Sequence, residues 1–195
     1  ETAREFLNDI GDEADRLTRI TEKLLTLTRL DTAPAAEDVP VDVGAVVERV
    51  EHMLSPLARA VEVSLELKLQ PGCVVLATED DLYQIAFNLM ENAVKYNLPG
   101  GRVLVTLTAD GGRVVLRVED TGVGIPEADL PKIFDRFYRV DKARSRAAGG
   151  TGLGLSIVRD TVLQHGGAVT ARRREPEGTC FEVSFAQWNG EEVGR

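Results

Sequence analysis

The stretch Arg113-Val-Val-Leu-Arg-Val-Glu119-Asp120-Thr121-Gly122-Val123-Gly124-Ile125-Pro126 carries a β-rich run straight into a glycine-rich turn. A carboxylate held at a strand end, as Asp120 is, can accept a hydrogen bond from an exocyclic amine such as that of adenine. Gly122 and Gly124 would let the backbone approach a flat ring, since neither carries a Cβ. Taken alone, the same residues read equally well as a plain Asp-Gly turn.

Upstream, Asp110-Gly-Gly112 joins a second β-rich run, 102–109, to the first, a clear hairpin signal. Before it, residues 79–96 place Leu82, Ile85, Ala86, Leu89, Ala93 and Tyr96 at helical spacing and stop at Asn97-Leu-Pro-Gly-Gly101. Residues 43–60 read as another helix, 61–69 alternate as a half-buried strand, and 73–77 read as a short strand. Downstream, a helix opened by glycines is predicted over 152–164, with closing strands over 167–173 and 179–185.

At the front of the chain, Ala3, Phe6, Ile10, Leu17, Ile20, Leu24 and Leu27 recur in steps of three and four with one break at Glu13, the seam of a bundle or coiled coil. Such a stripe needs a partner helix, so dimerisation is the natural inference. Asp31 to Pro40, with two prolines among small and polar residues, breaks the periodicity. The expected organisation is a helix over 1–33, a linker over 34–40, one α/β domain over 41–187 and a tail over 188–195.

A composition of 43% hydrophobic and 28% charged residues suits an ordinary packed domain. No apolar run approaches the roughly 18–20 residues of a membrane span, and the front of the chain lacks the basic, apolar pattern of a signal. Cys73 and Cys180 lack metal-ligand spacing and read as reduced core residues. A formal charge of −9 argues against nucleic acid as a partner. The local exception is 132–146, where Lys132, Arg136, Arg139, Lys142, Arg144 and Arg146 face only Asp135 and Asp141. That segment focuses positive potential or is simply a solvated loop.

Three further motifs accompany the Asp120 turn. In Asn88-Leu-Met-Glu-Asn92-Ala-Val-Lys95-Tyr96-Asn97, positions 88, 92, 95 and 96 share one helical face. Amide oxygens there suit hydrated Mg²⁺ and Lys95 suits phosphate, although a bland polar face has the same look. In Ile133-Phe134-Asp135-Arg136-Phe137-Tyr138-Arg139, Phe134 and Phe137 are expected to anchor a loop whose arginines meet phosphate. In Gly149-Gly150-Thr151-Gly152-Leu153-Gly154-Leu155, glycines precede a helix whose N–H groups can cradle phosphate. This run lacks the Gly-Lys-Ser/Thr ending of a P-loop and the strand of a dinucleotide-binding unit.

Together, in this order, the four motifs resemble the nucleotide-binding domain of sensor histidine kinases, within the superfamily that includes gyrase, heat-shock-chaperone and mismatch-repair ATPases. Residues 88–97 resemble its N box, 120–126 its first glycine box, 134–139 its phenylalanine box and 150–154 its second glycine box; Gly178-Thr179 resembles the final glycine motif. The resemblance implies an α/β fold, a two-layer Bergerat-type sandwich with helices on one face of a mixed sheet, and a mobile lid between about 135 and 150. It implies ATP and Mg as ligands. Asp120 would contact adenine, Asn88 would hold the metal, and Asn88 and Asn92 would serve phosphate. Lys95, Tyr96 and Arg139 would touch the nucleotide, with Asn88, Lys95 and Arg139 bearing on transfer. Gly122, Gly124, Ile125, Gly150, Thr151, Gly152, Leu153, Gly154 and Thr179 complete the implied site. The leading helix resembles the second helix of a dimerisation hairpin, which implies a homodimer, a response regulator receiver domain as partner, and a cytoplasmic position beneath a membrane-bound parent.

In that family the acceptor histidine lies on the first hairpin helix beside an acidic residue, and nothing here matches it. The acceptor is therefore expected outside this sequence, and His52 and His165 read as surface or capping histidines. The superfamily's ATPases resemble one another in a glutamate four residues before the asparagine, as base for water. Here that position is Asn88, which cannot take a proton from water. Phosphoryl transfer needs mainly positioning and charge, so an asparagine suffices. Glu91 leaves hydrolysis open, and a nucleotide-sensing dimerisation module without catalysis is a third reading, disfavoured by the intact motifs. A serine kinase of the anti-sigma-factor type would share the boxes but not the hairpin helix.

Overall fold

The computed structural model describes residues 37–140 and 151–190, together with Thr18 and Thr21, both helical. The leading seam, the first part of the linker, most of the lid and Gly150 lie outside those residues. The described order is β1 (Val39–Asp42), α1 (Val43–Ala60), β2 (Ser64–Leu69), β3 (Val74–Ala77), α2 (Glu79–Lys95), β4 (Arg102–Asp110), β5 (Arg113–Asp120), a 3₁₀ turn (Leu130–Lys132), α3 (Gly154–Gln164), β6 (Ala168–Arg173) and β7 (Thr179–Ala186).

Five strands form one mixed sheet in the order β2-β4-β5-β7-β6. β2 runs parallel to β4, with Ser64 opposite Arg102, and the other pairs are antiparallel. Val103, Val105 and Leu107 of β4 and Val114, Leu116 and Val118 of β5 are buried, while the alternate residues are not. That period of two leaves one face for the helices. α1 covers it with Val43, Val46, Val47, Val50, Leu54 and Ala58, and α2 with Leu82, Ile85, Ala86, Leu89, Met90, Ala93 and Val94. Full burial of such aliphatic side chains contributes about 1.5–3 kcal/mol each as an upper bound.

Capping sets where the helices start. Asp42 accepts from the Gly44 N–H at 2.8 Å and Thr78 from the Asp81 N–H at 3.1 Å, each satisfying a donor the helix leaves open. Glu79, Asp80 and Asp81 in the first turn of α2 complement its dipole.

Three expectations need correction. Val39 and Pro40, assigned to the linker, belong to β1, which pairs antiparallel with β3 in a separate two-stranded sheet. Pro40 hid it, since proline reads as a break, yet at an edge its missing N–H is tolerated. The strand expected from 61 begins at Ser64, because Val61, Glu62 and Val63 donate back to carbonyls of residues 57–59 and close α1, with Glu62 at φ +57°. α3 begins at Gly154 rather than Gly152, whose φ of +73° is not helical.

Candidate functional site

Asp120, the last residue of β5, is only 6% exposed. Its Oδ1 accepts from the Gly122 N–H at 2.8 Å and the Thr179 N–H at 3.2 Å. Both bonds stabilise the carboxylate, but burial outweighs them and pushes its pKa up to about 6. With Oδ1 committed, Oδ2 is the atom left to receive an amine.

The surroundings are backbone, held at distances only glycine permits. A Cβ on Gly178 would lie 1.9 Å from the Asp120 carbonyl oxygen, and one on Gly122 would lie 2.3 Å from the Tyr96 carbonyl oxygen. Gly178 also has φ +108°, in the region that favours glycine. Val123 N–H donates to the Tyr96 carbonyl at 3.2 Å, tying the turn to the end of α2. Asn97 completes the join: its Nδ2 donates to the Ala93 and Arg102 carbonyls at 3.2 and 3.1 Å, and its Oδ1 accepts from Thr121 Oγ1 at 3.3 Å. Ile125 packs on the main core. These contacts fix a turn of close-packed main chain that holds one buried carboxylate, a group able to accept a hydrogen bond from an amine.

α2 brings its polar face to the same end of the sheet. Asn88 is buried, and its Nδ2 donates to the Gln84 carbonyl one turn back at 2.8 Å. That commits the nitrogen and leaves the oxygen as the atom available to a hard cation. Among the described residues no group of three or more His, Cys, Asp or Glu side chains could cage a metal. A cation at Asn88 would therefore rely on water and phosphate oxygens, as Mg²⁺ commonly does. Asn92 and Tyr96 are half-buried beyond it. Lys95 pairs with Glu91 at 2.8 Å, so its ammonium is shared before any phosphate arrives.

The phenylalanine segment behaves differently from expectation at one position. Phe134 anchors the loop, meeting Phe181 edge-on at 6.4 Å between ring centres. Phe137 does not: it is 60% exposed at φ +66°. Its N–H instead donates to the Gly152 carbonyl at 2.9 Å, and a Cβ on Gly152 would lie 2.9 Å from the Phe137 backbone. The backbone contact joins the two described ends of the lid and turns the ring outward. Arg136 pairs with Asp160 of α3 at 3.1 Å, and Arg159 approaches Asp135 at 3.8 Å. Tyr138 donates to Asp129 at 2.6 Å, which pushes its phenol pKa up. Arg139 is half-buried beside them. Thr151 Oγ1 accepts from the Leu153 N–H at 3.3 Å, and buried Leu153 leads into Gly154 at the start of α3. Neither the Phe137–Gly152 contact nor the Arg136–Asp160 pair had a sequence signal, since each joins residues separated by the lid.

The sequence profile described as histidine kinase-, DNA gyrase B-, and HSP90-like ATPase matches residues 77–188. The chain belongs to that ATPase family. Within it, the chain is similar to the sensor-like histidine kinase SenX3 of Mycolicibacterium smegmatis, 34% identical over 189 residues, which is 96% of this chain and 49% of that protein. It is similar also to sensor histidine kinase RppB of Synechocystis, 35% identical over 182 residues, 92% of this chain and 40% of that one. Among solved structures, full-length ShkA in complex with AMPPNP superimposes with a TM-score of 0.80 at 31% identity, covering 97% of this chain and 40% of that one. The chain thus spans less than half of each. No described helix is long and apolar enough to cross a membrane.

Proposed function

We propose that this chain binds ATP with Mg²⁺ and transfers the γ-phosphoryl group to a histidine on a helical hairpin, for relay to a response regulator receiver domain. The observation that carries the reading is Asn88, buried and oriented by Gln84, where a water-activating carboxylate would be needed for hydrolysis. Likeness to proteins named sensor histidine kinases supports the same branch.

In this reading Asp120 receives the adenine amine, while the close backbone packing at Gly122, Gly124 and Gly178 fixes the turn that presents it. Asn88 would hold Mg²⁺, which when bound neutralises charge on the phosphates. Asn92, Tyr96, Thr151 and the α3 start line the phosphate side with Gly150, Gly152, Leu153 and Gly154. Lys95 and Arg139 supply positive charge for the transferred group. Glu91, which would speak for hydrolysis, faces Lys95 at 2.8 Å. The helix over 1–33 would pair in a homodimer, and the domain would lie on the cytoplasmic side of a membrane-bound parent.

His165 is enclosed by carboxylates, which does not suit the acceptor role, and His52 lies on α1 of the nucleotide-binding domain itself rather than on a hairpin helix. The test supplies γ-labelled ATP with an excess of a separate hairpin peptide that bears the acceptor histidine. Acid-labile label on the peptide, lost in Asn88→Ala, is the expected result. Transfer in trans is slow, because tethering ordinarily provides an effective concentration of roughly millimolar. Strong self-labelling at His52 or His165, or brisk phosphate release without peptide, would overturn the assignment.

A further inference from the structure

His165 follows the last turn of α3, at the opposite end of that helix from the glycine turn. Its N–H donates to the Thr161 carbonyl at 3.3 Å, and the N–H groups of Gly166 and Gly167 close the helix on Leu163 and Val162 at 3.1 and 2.9 Å. Gly167 lies so close to β7 that a Cβ would meet the Phe185 ring at 2.8 Å. The turn is therefore fixed against the sheet, and with it the imidazole.

That imidazole is only 2% exposed, with Nδ1 3.1 Å from Asp38 Oδ1 and Nε2 2.9 Å from Asp81 Oδ2. A neutral imidazole carries one N–H, and ionised carboxylates only accept. Both contacts are hydrogen bonds only if both nitrogens are protonated. The geometry thus calls for an imidazolium. The charges agree: the Asp81 bond, then Asp38, push the pKa up against the desolvation that would lower it. Glu79 and Asp80, in the same first turn as Asp81, are exposed, and Glu79 pairs with Arg49. On α3 itself the nearest charges in sequence, Arg159 and Asp160, pair with one another and with the phenylalanine segment. No cation among the described residues contributes to this shift, and the two facing carboxylates dominate it.

The three joined parts differ in kind. Asp81 starts α2, which carries Asn88 and Asn92; His165 ends α3, which the second glycine motif opens; Asp38 is where the chain enters the domain. We propose that His165 is a proton-dependent clamp that fastens the chain's entry at Asp38 onto the ends of the two helices that build the nucleotide site. On deprotonation one nitrogen presents a lone pair to a carboxylate, and the contact turns repulsive. Asp81 is retained by the α2 N-terminus, where a negative charge is favoured. Asp38, with a side chain 42% exposed, is the partner that leaves. β1 has four residues and one buried side chain and is otherwise held by its pairing with β3, so loosening at Asp38 is read there first. Because the folded pKa is raised, the stabilisation is complete below about pH 6.5 and is lost as pH rises through the folded value. This inference stands whether or not the chain transfers phosphate.

The test is nitrogen-15 imidazole NMR on the whole chain, with His52→Gln to assign the second histidine. His165 should show two protonated nitrogens at pH 7 and titrate above 6.5, with a lower midpoint in Asp38→Asn. Amide protection at Val39–Asp42, corrected for intrinsic exchange, should fall about fivefold or more across that midpoint and stay flat in His165→Gln. If His165→Gln does not fold, Asp38→Asn serves as the flat control, since its side chain is 42% exposed and isosteric with the amide. A neutral His165 tautomer at pH 7, or β1 protection in the unaltered chain that ignores the titration, would overturn the proposal.

Discussion

The proposed adenine end of the site and its phosphate end are held by different kinds of contact. At the first, main chain meets main chain: Gly178 on Asp120, Gly122 on Tyr96, with one buried carboxylate fastened by two N–H groups. At the second, charged side chains satisfy one another, Lys95 with Glu91 and Arg136 with Asp160. Close backbone contacts cannot give way without moving strands, whereas partly exposed ion pairs exchange partners at lower cost. The first end is a mould and the second a set of replaceable contacts.

The largest effect should come from putting a side chain into the mould. Gly178→Ala is expected to destabilise the domain by about 3–5 kcal/mol, combining overpacking with left-handed strain. Gly112→Ala is the counterpart, with φ +75° and nothing within 4 Å of the added carbon. It should lose only about 1 kcal/mol, the backbone term alone. Thermal unfolding of the two variants measures the difference, and equal losses would show that the close approach has no energetic weight.

Next in size, Asp120→Asn should weaken ADP about 10- to 100-fold, the range for a hydrogen bond to a charged group. The empty domain should keep or gain stability at pH 7.5, because the amide oxygen still accepts from Gly122 and Thr179 without a buried charge. Calorimetry with ADP and melting without it separate the two, and unchanged affinity would refute the adenine assignment.

The same carboxylate sets a pH dependence. Its folded pKa of about 6 lies above the ordinary carboxylate value, so the folded state holds the extra proton between about pH 4 and 6. Stability of the empty domain contributed by this group therefore falls as pH rises through that window. ADP binding, which uses the ionised form, should strengthen about tenfold from pH 5 to 7. Titration calorimetry at several pH values checks the sign, and Asp120→Asn should flatten the curve.

The smallest effect belongs to the phosphate end. Glu91→Gln removes one partner of an i,i+4 pair and should change stability by about 0.5 kcal/mol or less, with ATP affinity altered within about threefold. A much larger loss of ATP turnover would mean that Glu91 acts on the nucleotide and that the charges there are not interchangeable.

The two ends also differed in how far they could be read in advance. α1 and α2 follow from apolar spacing, and the Asp110-Gly-Gly112 hairpin from its turn residues, all local signals. Asp120, Gly122 and Thr179 were recognised by motif, and the structure brings them within hydrogen-bonding range. Phe137 was misjudged, because a phenylalanine in an aromatic motif reads as an anchor until its backbone is seen bonded to Gly152. β1 went unread because four residues containing a proline carry too little pattern.

The residue order by itself determined the helices, the hairpin, the order of the four motifs and the choice of asparagine over glutamate at position 88. These depend on spacing within a few residues, where periodicity, turn chemistry and side-chain identity act locally. Only the tertiary structure decided that Gly178 must touch Asp120, that Phe137 turns outward, and that His165 sits between Asp38 and Asp81. Those partners lie 58, 15, 127 and 84 residues apart, counting Phe137 to Gly152 as the second pair. Contacts across such distances arise from how the sheet and helices pack, and one sequence carries no period that announces them.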